Sequence, residues 1–310
     1  MNEDEQLIFD RLTFPKNQED VNNLFGIFKN FLFKATQNHG AREYDYSIRR
    51  DMVLILQMIF TKVATLEKTI ETIEYVSEDG VPLHKVIDQT LVTTAVRGLY
   101  ESIGMFNTVF VNPQSKDERG VLHVLWVIAG LKFRQRFAVF NKTPESEAKT
   151  KSENDIIIKY ISDIRDTELY KSLSLIDQQK IETVIKKNSY SVFFTDGKVK
   201  VLNGFQELVN NAGISKYPMG LFYTHLSLHA HPSYIGVKAF GNMFEAKNPD
   251  FFKLSLFTLD VAFKLVSVFI ADYIKVNPEV KSTFDALDEV SKNVIQYNNI
   301  FLRSEKYEII

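Results

Sequence analysis

The chain has 310 residues, of which 45% are hydrophobic, and its formal net charge is −2. This length can bury a large core in one domain or in two closely packed ones, and so balanced a charge argues against nucleic-acid or membrane binding by bulk electrostatics alone. There is no cysteine, which excludes disulfides, thiolate catalysis and cysteine-based metal sites.

The N-terminus and two apolar runs bear on targeting. The first six residues are acidic and lack the basic start and apolar centre of a signal peptide, which predicts a cytoplasmic protein. The run at 121–131 is far shorter than the ~20 residues that a spanning helix needs. Residues 251–274 are long enough, but two lysines and two aspartates interrupt them. We therefore expect no transmembrane segment and no membrane partner.

Apolar stripes at helical spacing begin near the N-terminus. One stripe covers 21–35 and predicts a helix that Gly40 ends. A second helix is expected over about 46–76, because its apolar residues alternate steps of four and three, the pattern of antiparallel helix packing. That seam consists of Met52, Leu56, Ile59, Val63, Leu66, Ile70 and Ile73.

Two further helices are expected over 83–111 and 118–140. The inward face predicted for the first consists of Val86, Ile87, Leu91, Thr94, Leu99, Ile103 and Phe106. Residues 141–154 are polar, contain a proline and show no periodicity, which predicts a mobile loop. Helical patterns resume at 156–164 and 175–187.

Residues 190–202 break the helical pattern. Asp196-Gly197 separates an aromatic run from an alternating one, which predicts a small β-hairpin or an extended turn. A short helix is expected at 204–211. Asn248, followed by a proline, predicts the capped start of a long helix that runs to 276.

A last helix is expected from Pro278 to about residue 301, with Phe301 facing inward. Together these patterns predict an all-α, multi-helix bundle with a small β-hairpin or extended insertion near residues 190–202. We expect one helical domain over 1–310, formed by an N-terminal helical pair (1–80), a core (83–275) and a C-terminal helix (278–301).

The stretch from 223 to 234 holds three of the six histidines. On a helix, Tyr223, Ser227 and His231 fall at steps of four, and His225 and His229 form a second pair on another face. Because a proline follows His231, we expect this residue at the frayed end of the helix.

The two sets of side chains suggest different chemistry. His225 and His229 could share a metal ion, as in helical zinc sites, but a third ligand such as Glu101 would have to come from elsewhere, and the H-E-x-x-H motif is absent. The structural alternative is that these histidines cap the helix end or bond buried backbone.

Acid–base chemistry is the other functional interpretation. Histidine titrates near neutrality, Arg97 could steady an anion, and Tyr223 or Ser227 could orient it. Such a site would let an RNA 2′-hydroxyl attack its own phosphate without a metal. The structural alternative is a satisfied network, in which Arg97 pairs with Glu101 four residues on and both bond the helix of Tyr223.

A resemblance accompanies this pattern. Arg97-x-x-x-Glu101, an aromatic turn with glycine (194–197), a short helix ending in glycine (205–213) and Tyr223-x-x-x-Ser227-x-x-x-His231-x-Ser233 resemble an uncharacterised bacterial family of helical domains, over roughly 85–270. That family is similar in layout to HEPN nucleases and abortive-infection proteins. The resemblance implies RNA cleavage in phage defence.

The chain departs from the HEPN signature, which places four to six residues between an arginine and a following histidine in one helix. Here Arg119 and His123 have three residues between them, and no arginine shortly precedes His229 or His231. A nuclease site would therefore need its arginine and histidine to meet from separate helices.

These observations give one expected site and three candidate functions. The expected catalytic residues are Arg97, Glu101, Tyr223, Ser227, His229 and His231, with no cofactor. The leading function is an intracellular effector, a metal-independent ribonuclease of a defence or toxin system. The alternatives are a non-enzymatic binding or oligomerisation module and a metal-dependent hydrolase that uses His225 and His229. The candidate partners are RNA, a second copy of the chain and a protein encoded nearby.

Overall fold

The computed structural model describes residues 1–39, 48–83, 85–140, 142–214, 216–242 and 251–309, and the side chains of 216–220, 251 and 254 are not described. The boundaries predicted at Gly40, near residue 46 and at Asn248 lie outside these residues. None of the helices in the described ranges is long and apolar enough to cross a bilayer.

The described chain is all-α apart from one hairpin, as predicted, with 14 α-helices and two short strands. The first helices are α1 (Glu3–Thr13), α2 (Gln18–His39), α3 (Ile48–Thr69), α4 (Gln89–Phe106), α5 (Lys116–Gln135), α6 (Pro144–Asp166), α7 (Glu168–Ser172) and α8 (Leu175–Lys186). They are followed by β1 (Val192–Thr195), β2 (Lys198–Val201), α9 (Phe205–Asn211), α10 (Lys216–Ala230), α11 (Tyr234–Asn242), α12 (Phe251–Val276), α13 (Lys281–Asp285) and α14 (Glu289–Arg303).

The chain divides into two compact units. Unit 1 consists of Met1–Phe106 and Gly213–Ile310, and unit 2 of Asn107–Ala212. In unit 1, α12 packs against α2, α4 and α14, and α4 also packs against α3 and α10. Aromatic side chains fill the centre: Phe28 stacks on Phe263 with ring centroids 5.5 Å apart, and Phe106 meets Phe269 edge-on at 4.9 Å. The single-domain prediction for 1–310 stays a prediction.

Unit 2 has its own apolar core between α5, α6, α8 and the hairpin. Val192, Phe194 and Val199 point into that core, and the alternate strand residues face outward. The turn residues Asp196 and Gly197 both have positive φ angles of 51° and 68°, which is the conformation of a type I′ turn. The Asp-Gly signal thus predicted the hairpin correctly.

Residues 141–154, predicted to be a mobile loop, belong mostly to α6. The Thr143 side chain accepts a backbone hydrogen bond from the first turn, and Pro144 occupies a position where its missing N–H costs nothing. Farther along, the buried Glu153 pairs with Arg134 of α5. The prediction was wrong because a polar composition was interpreted as a loop, although the Thr-Pro start is itself a helix signal.

The segment between α3 and α4 is longer than predicted. Helix α3 ends at Thr69 rather than near residue 76, and α4 begins at Gln89 rather than at 83. Between them the N–H of Ile73 donates to the carbonyl of Val86 at 2.8 Å, in an antiparallel bridge. Pairing with a later segment therefore replaces the helix that the apolar spacing alone favoured.

The predicted inner face of α4 was partly wrong. Leu91 and Thr94 are exposed, whereas Val92, Val96 and Leu99 are buried. Leu91 lies in the first turn of the helix, and Thr94 lies on the outer face that also carries Arg97 and Glu101. Beyond Phe106 the backbone continues as a short π-helical turn, Asn107–Val111, instead of α-helix.

The predicted last helix is interrupted. After a 3-10 turn at Pro278–Val280, the short α13 ends at Asp285, and Asp288 caps α14 by accepting the N–H of Ser291 at 2.8 Å. Phe301 is 59% exposed, so its predicted inward position was wrong. The buried face of α14 passes through Val294, Asn298 and Leu302, and Phe301 lies beside that face.

Candidate functional site

Helix α4 carries the first half of the site. The carboxylate of Asp88 accepts the N–H of Thr90 at 2.8 Å and so satisfies a free donor at the helix start. Because the opposite face of α4 is packed in the core, Thr90, Arg97 and Glu101 share the outer turns at helical spacing. The side chains of Arg97 and Glu101 are 21% and 27% exposed, so the pair reaches solvent without being fully surrounded by it.

The second half lies at the end of α10, which stops before Pro232 as predicted. The Ser233 hydroxyl donates to the carbonyl of Leu228 at 2.7 Å and accepts the N–H of Gly236 at 3.0 Å. The N–H of Ser233 donates to the carbonyl of His231 at 2.7 Å. His231 therefore lies just past the end of α10, in a tight turn between α10 and α11.

Four of the six predicted catalytic residues form one hydrogen-bonded network. The Nε of Arg97 donates to Oε1 of Glu101 at 2.8 Å, and the Tyr223 hydroxyl donates to the same oxygen at 3.1 Å. The Nη2 of Arg97 lies 3.4 Å from the Tyr223 hydroxyl. On the far side of the guanidinium, Nη1 of Arg97 lies 2.6 Å from Nε2 of His231. The arginine and the histidine thus meet from separate elements.

The contact between Arg97 and His231 fixes the state of the imidazole. A guanidinium has only donors, so Nε2 of His231 must accept the hydrogen bond. The ring is then neutral, with its proton on Nδ1, and its basic nitrogen points at a cation. An anion that drew the guanidinium away would leave Nε2 free to take a proton.

Electrostatics keep Arg97 charged and Tyr223 protonated. Burial raises the pKa of Tyr223, and the carboxylate of Glu101 raises it further, against an opposing effect of Arg97. Burial by itself would lower the pKa of Arg97, but the hydrogen bond to Glu101 raises it on balance. Tyr223 is also packed against Tyr100, with ring centroids 5.1 Å apart. The network therefore presents one permanent cation and one neutral base.

A cavity of about 290 Å³ adjoins His231. Its walls are formed by Thr90, His229, His231, Pro232, Val237 and Phe240. The two α11 side chains among them, Val237 and Phe240, are exposed. Apolar walls with a few polar groups are typical of ligand sites, and the cavity opens directly beside the Arg97–His231 contact.

The other two predicted catalytic residues lie outside the network. Ser227 is half-buried one turn after Tyr223, and no hydrogen bond of its hydroxyl is found among the described residues. His229 lines the cavity, and its ring centroid lies 4.5 Å from that of His225. His229 and His231, which helical spacing assigned to different faces, therefore both line the cavity.

The pair formed by His225 and His229 is the candidate metal site of the alternative interpretation. His225 stacks on Phe222 with centroids 5.9 Å apart, and burial lowers the pKa of His225, with a further contribution from His229. Within the described part of the chain there is no group of three or more histidine, aspartate or glutamate side chains that could hold a metal ion. Glu101, the suggested third ligand, is bonded to Arg97 and Tyr223 instead.

The sequence interpretation missed the contribution of Thr90 and of α11. Thr90 precedes Arg97 by two helical turns on the same face, so the periodicity that joins Arg97 to Glu101 could have found it. No comparable signal points to Phe240, which reaches the cavity only because the Ser233 turn reverses the chain.

No protein-family model, no curated protein and no solved structure matches this chain. The resemblance to an uncharacterised helical family, similar in layout to defence nucleases, stays a prediction.

Proposed function

We propose that this protein is an intracellular effector that cleaves RNA without a metal ion. The observation that supports the proposal is the 2.6 Å contact between Nη1 of Arg97 and Nε2 of His231 beside a cavity. An arginine next to a neutral imidazole supplies the two functions that RNA transesterification needs, namely an anion-binding group and a proton acceptor.

The reaction begins with an exchange of partners. A phosphodiester takes the guanidinium donors that now face His231, while Glu101 and Tyr223 hold the other edge of Arg97. Nε2 of His231 then accepts the proton of the ribose 2′-hydroxyl. The 2′-oxygen forms a bond to phosphorus, the bond from phosphorus to the 5′-oxygen breaks, and the departing oxygen takes a proton from water. The products are a 2′,3′-cyclic phosphate and a free 5′-hydroxyl.

The adjoining cavity suits a base of the substrate. Its apolar walls can cover the faces of a nucleobase, and Thr90 and His229 offer polar atoms to its edge. Because the nucleophile is the 2′-hydroxyl, DNA of the same sequence should bind without being cleaved.

The test uses fluorescent single-stranded RNA, with the all-DNA strand beside it. Arg97→Ala and His231→Ala should each lower the cleavage rate by about 10²- to 10⁴-fold, the usual range for loss of an acid–base group or a charge-stabilising donor. Cleavage by the wild type should persist in EDTA, and its cyclic phosphate product is identified by mass spectrometry. A wild-type protein that cleaves no RNA and arrests no cells when expressed would refute the proposal.

Arg165→Ala is the matched control. Arg165 pairs with Glu182 through two 2.8 Å hydrogen bonds, and the Tyr170 hydroxyl donates to that glutamate at 3.0 Å. These three residues therefore repeat the arginine–glutamate–tyrosine arrangement of the site, but without a histidine. The control should cleave RNA at the wild-type rate.

A second candidate function is a non-enzymatic binding or oligomerisation module. It is favoured by the fact that the network already bonds Arg97 on both edges, which would lock α4 to α10. On this view, Arg97→Ala and His231→Ala lower the melting temperature and change no activity. The third candidate, a metal-dependent hydrolase using His225 and His229, predicts near-stoichiometric metal in protein purified without chelators.

A further inference from the structure

A larger cavity, of about 640 Å³, lies elsewhere in unit 1. It is enclosed by the end of α12, the start of α13, the end of α14 and the chain that follows α14. Neither the proposed cleavage reaction nor the histidine pair uses it. Its volume is within the ~300–1,000 Å³ that is usual for small-molecule sites.

A buried ion pair lines this cavity. Nη1 of Arg303 donates to Oδ1 of Asp272 at 2.7 Å, and both side chains are 2% exposed. The buried Nε of Arg303 has no hydrogen-bond partner among the described residues. Because a buried guanidinium is stable only when its donors are used, this side chain favours a further acceptor.

The remaining charged side chains make the cavity cationic. Lys275, Lys281 and Lys306 line it together with Arg303, against the carboxylates of Asp272 and Glu308. The lining therefore has a formal excess of two positive charges, of which one remains if Asp285, the partner of Lys281, is counted. Of these side chains, Lys275 and Lys306 are exposed.

One wall is aromatic and held in place. The Tyr307 ring lies against the Arg303 guanidinium, 3.9 Å from centroid to Cζ. The amide of Asn299 donates to the carbonyl of Tyr307 at 2.6 Å, and the N–H of Ile309 donates to Gln296 at 3.1 Å. A Cβ at Gly213 would overlap the Tyr307 hydroxyl, so a glycine with its φ of +79° lets the ring lie there. The cavity is thus pre-formed.

We propose that this cavity binds a phosphate monoester of mononucleotide size. A phosphate monoester carries about −1.5 to −2 charges at neutral pH, which matches the cationic lining. Arg303 and the two exposed lysines supply the donors for its oxygens. The apolar side chains of Ala271, Ile274 and Pro278 and the Tyr307 ring give its organic part a surface to pack against.

The test is calorimetric titration of the full chain with the four nucleoside monophosphates, with inorganic phosphate, and with a nucleoside 5′-carboxylate. At least one monophosphate should bind, and inorganic phosphate should bind more weakly because it lacks the organic part. Lys275→Ala/Lys306→Ala should weaken binding by about tenfold or more, since hydrogen bonds to charged groups are worth at least that factor. The matched control is Lys16→Ala/Lys34→Ala, which removes two exposed lysines from the N-terminal part of unit 1.

Arg303→Lys is a second variant, because it keeps a cation beside Asp272 and removes the planar donor group. It should weaken binding while the protein still unfolds cooperatively. The proposal is overturned if no monophosphate binds at millimolar concentration, if the carboxylate binds as tightly as the monophosphate, or if both lysine double variants bind alike. Loss of this binding would leave RNA cleavage unaffected, so the two proposals fail separately.

Discussion

Each unit contains an arginine, a glutamate and a tyrosine joined in the same way. In unit 1, Arg97 and Tyr223 both donate to one oxygen of Glu101, and in unit 2 Arg165 and Tyr170 both donate to one oxygen of Glu182. The triads differ in what the remaining nitrogens of the arginine meet. In unit 2, Nη2 of Arg165 donates to the other oxygen of the same glutamate, whereas in unit 1 Nη1 of Arg97 meets His231.

Because of this difference, the unit 2 triad only connects helices, whereas the unit 1 triad has the groups that acid–base chemistry needs. A bidentate pair such as Arg165–Glu182 uses both carboxylate oxygens and presents no base. The unit 1 triad keeps one edge of Arg97 against a neutral imidazole and next to a cavity. The triad by itself is therefore not evidence of a site, and what distinguishes unit 1 is His231 together with the cavity.

The largest expected difference between the triads is in the rate of RNA cleavage. Arg97→Lys keeps the charge but loses the planar group that holds Glu101 and the phosphate together, and the rate should fall by about 10²-fold. Arg165→Lys makes the same change in unit 2 and should leave the rate unchanged. Single-turnover cleavage of one RNA by both variants measures the difference, and equal losses would contradict a special role for Arg97.

The next effect concerns the tyrosine hydroxyls. Tyr223→Phe and Tyr170→Phe each remove one hydrogen bond to a glutamate, and each should lower the free energy of unfolding by about 0.5–1.5 kcal/mol. Only Tyr223→Phe should also slow cleavage, because in the proposed mechanism only Tyr223 holds the arginine that binds substrate. Urea unfolding and cleavage assays on the same preparations check both statements. If Tyr170→Phe also slowed cleavage, the loss of activity would reflect lower stability and not a change at the site.

A smaller effect is expected in the energy that couples each arginine to its glutamate. Arg165 and Glu182 make two hydrogen bonds, and their double-mutant cycle should give about 0.5–1 kcal/mol, the upper part of the range for exposed pairs. Arg97 and Glu101 lie four residues apart on a helix and make one hydrogen bond. Their coupling energy should be about 0.3–0.5 kcal/mol. A larger coupling for Arg97 and Glu101 would favour the structural role of the unit 1 network.

The sequence made one of these triads easier to find than the other. Arg97 and Glu101 are four residues apart on a helix, so their pairing follows from periodicity, whereas Arg165 and Glu182 lie on α6 and α8 and give no local signal. The approach of His231 to Arg97 spans 134 positions and came from the resemblance, not from any spacing. What periodicity and turn chemistry encode locally was predictable, and long-range pairing was not.

The fold likewise has features that local signals predicted and features that depend on long-range pairing. The all-α class, the hairpin at Asp196 and the end of α10 before Pro232 are set by local rules and were predicted. The end of α3 at Thr69 was not, because the bridge between Ile73 and Val86 depends on a segment that comes later in the chain. The α6 error was avoidable, since the Thr143 cap is a local signal.

The smallest expected effect is a pH dependence of stability in unit 2. The hydrogen bond from Arg165, against an opposing effect of burial and with help from Tyr170, lowers the pKa of Glu182 from its ordinary 4.5. Between the folded and unfolded pKa values the unfolded chain binds more protons, so the stabilisation is complete above pH 4.5 and is lost as the pH falls through the folded pKa. Arg165→Ala removes the hydrogen bonds that lower this pKa, and Glu182→Gln removes the titrating carboxylate, so each variant should flatten this acid-side slope. Urea midpoints of the three proteins across this range measure it, and parallel curves for wild type and both variants would show that the Arg165 pair does not perturb Glu182 in solution.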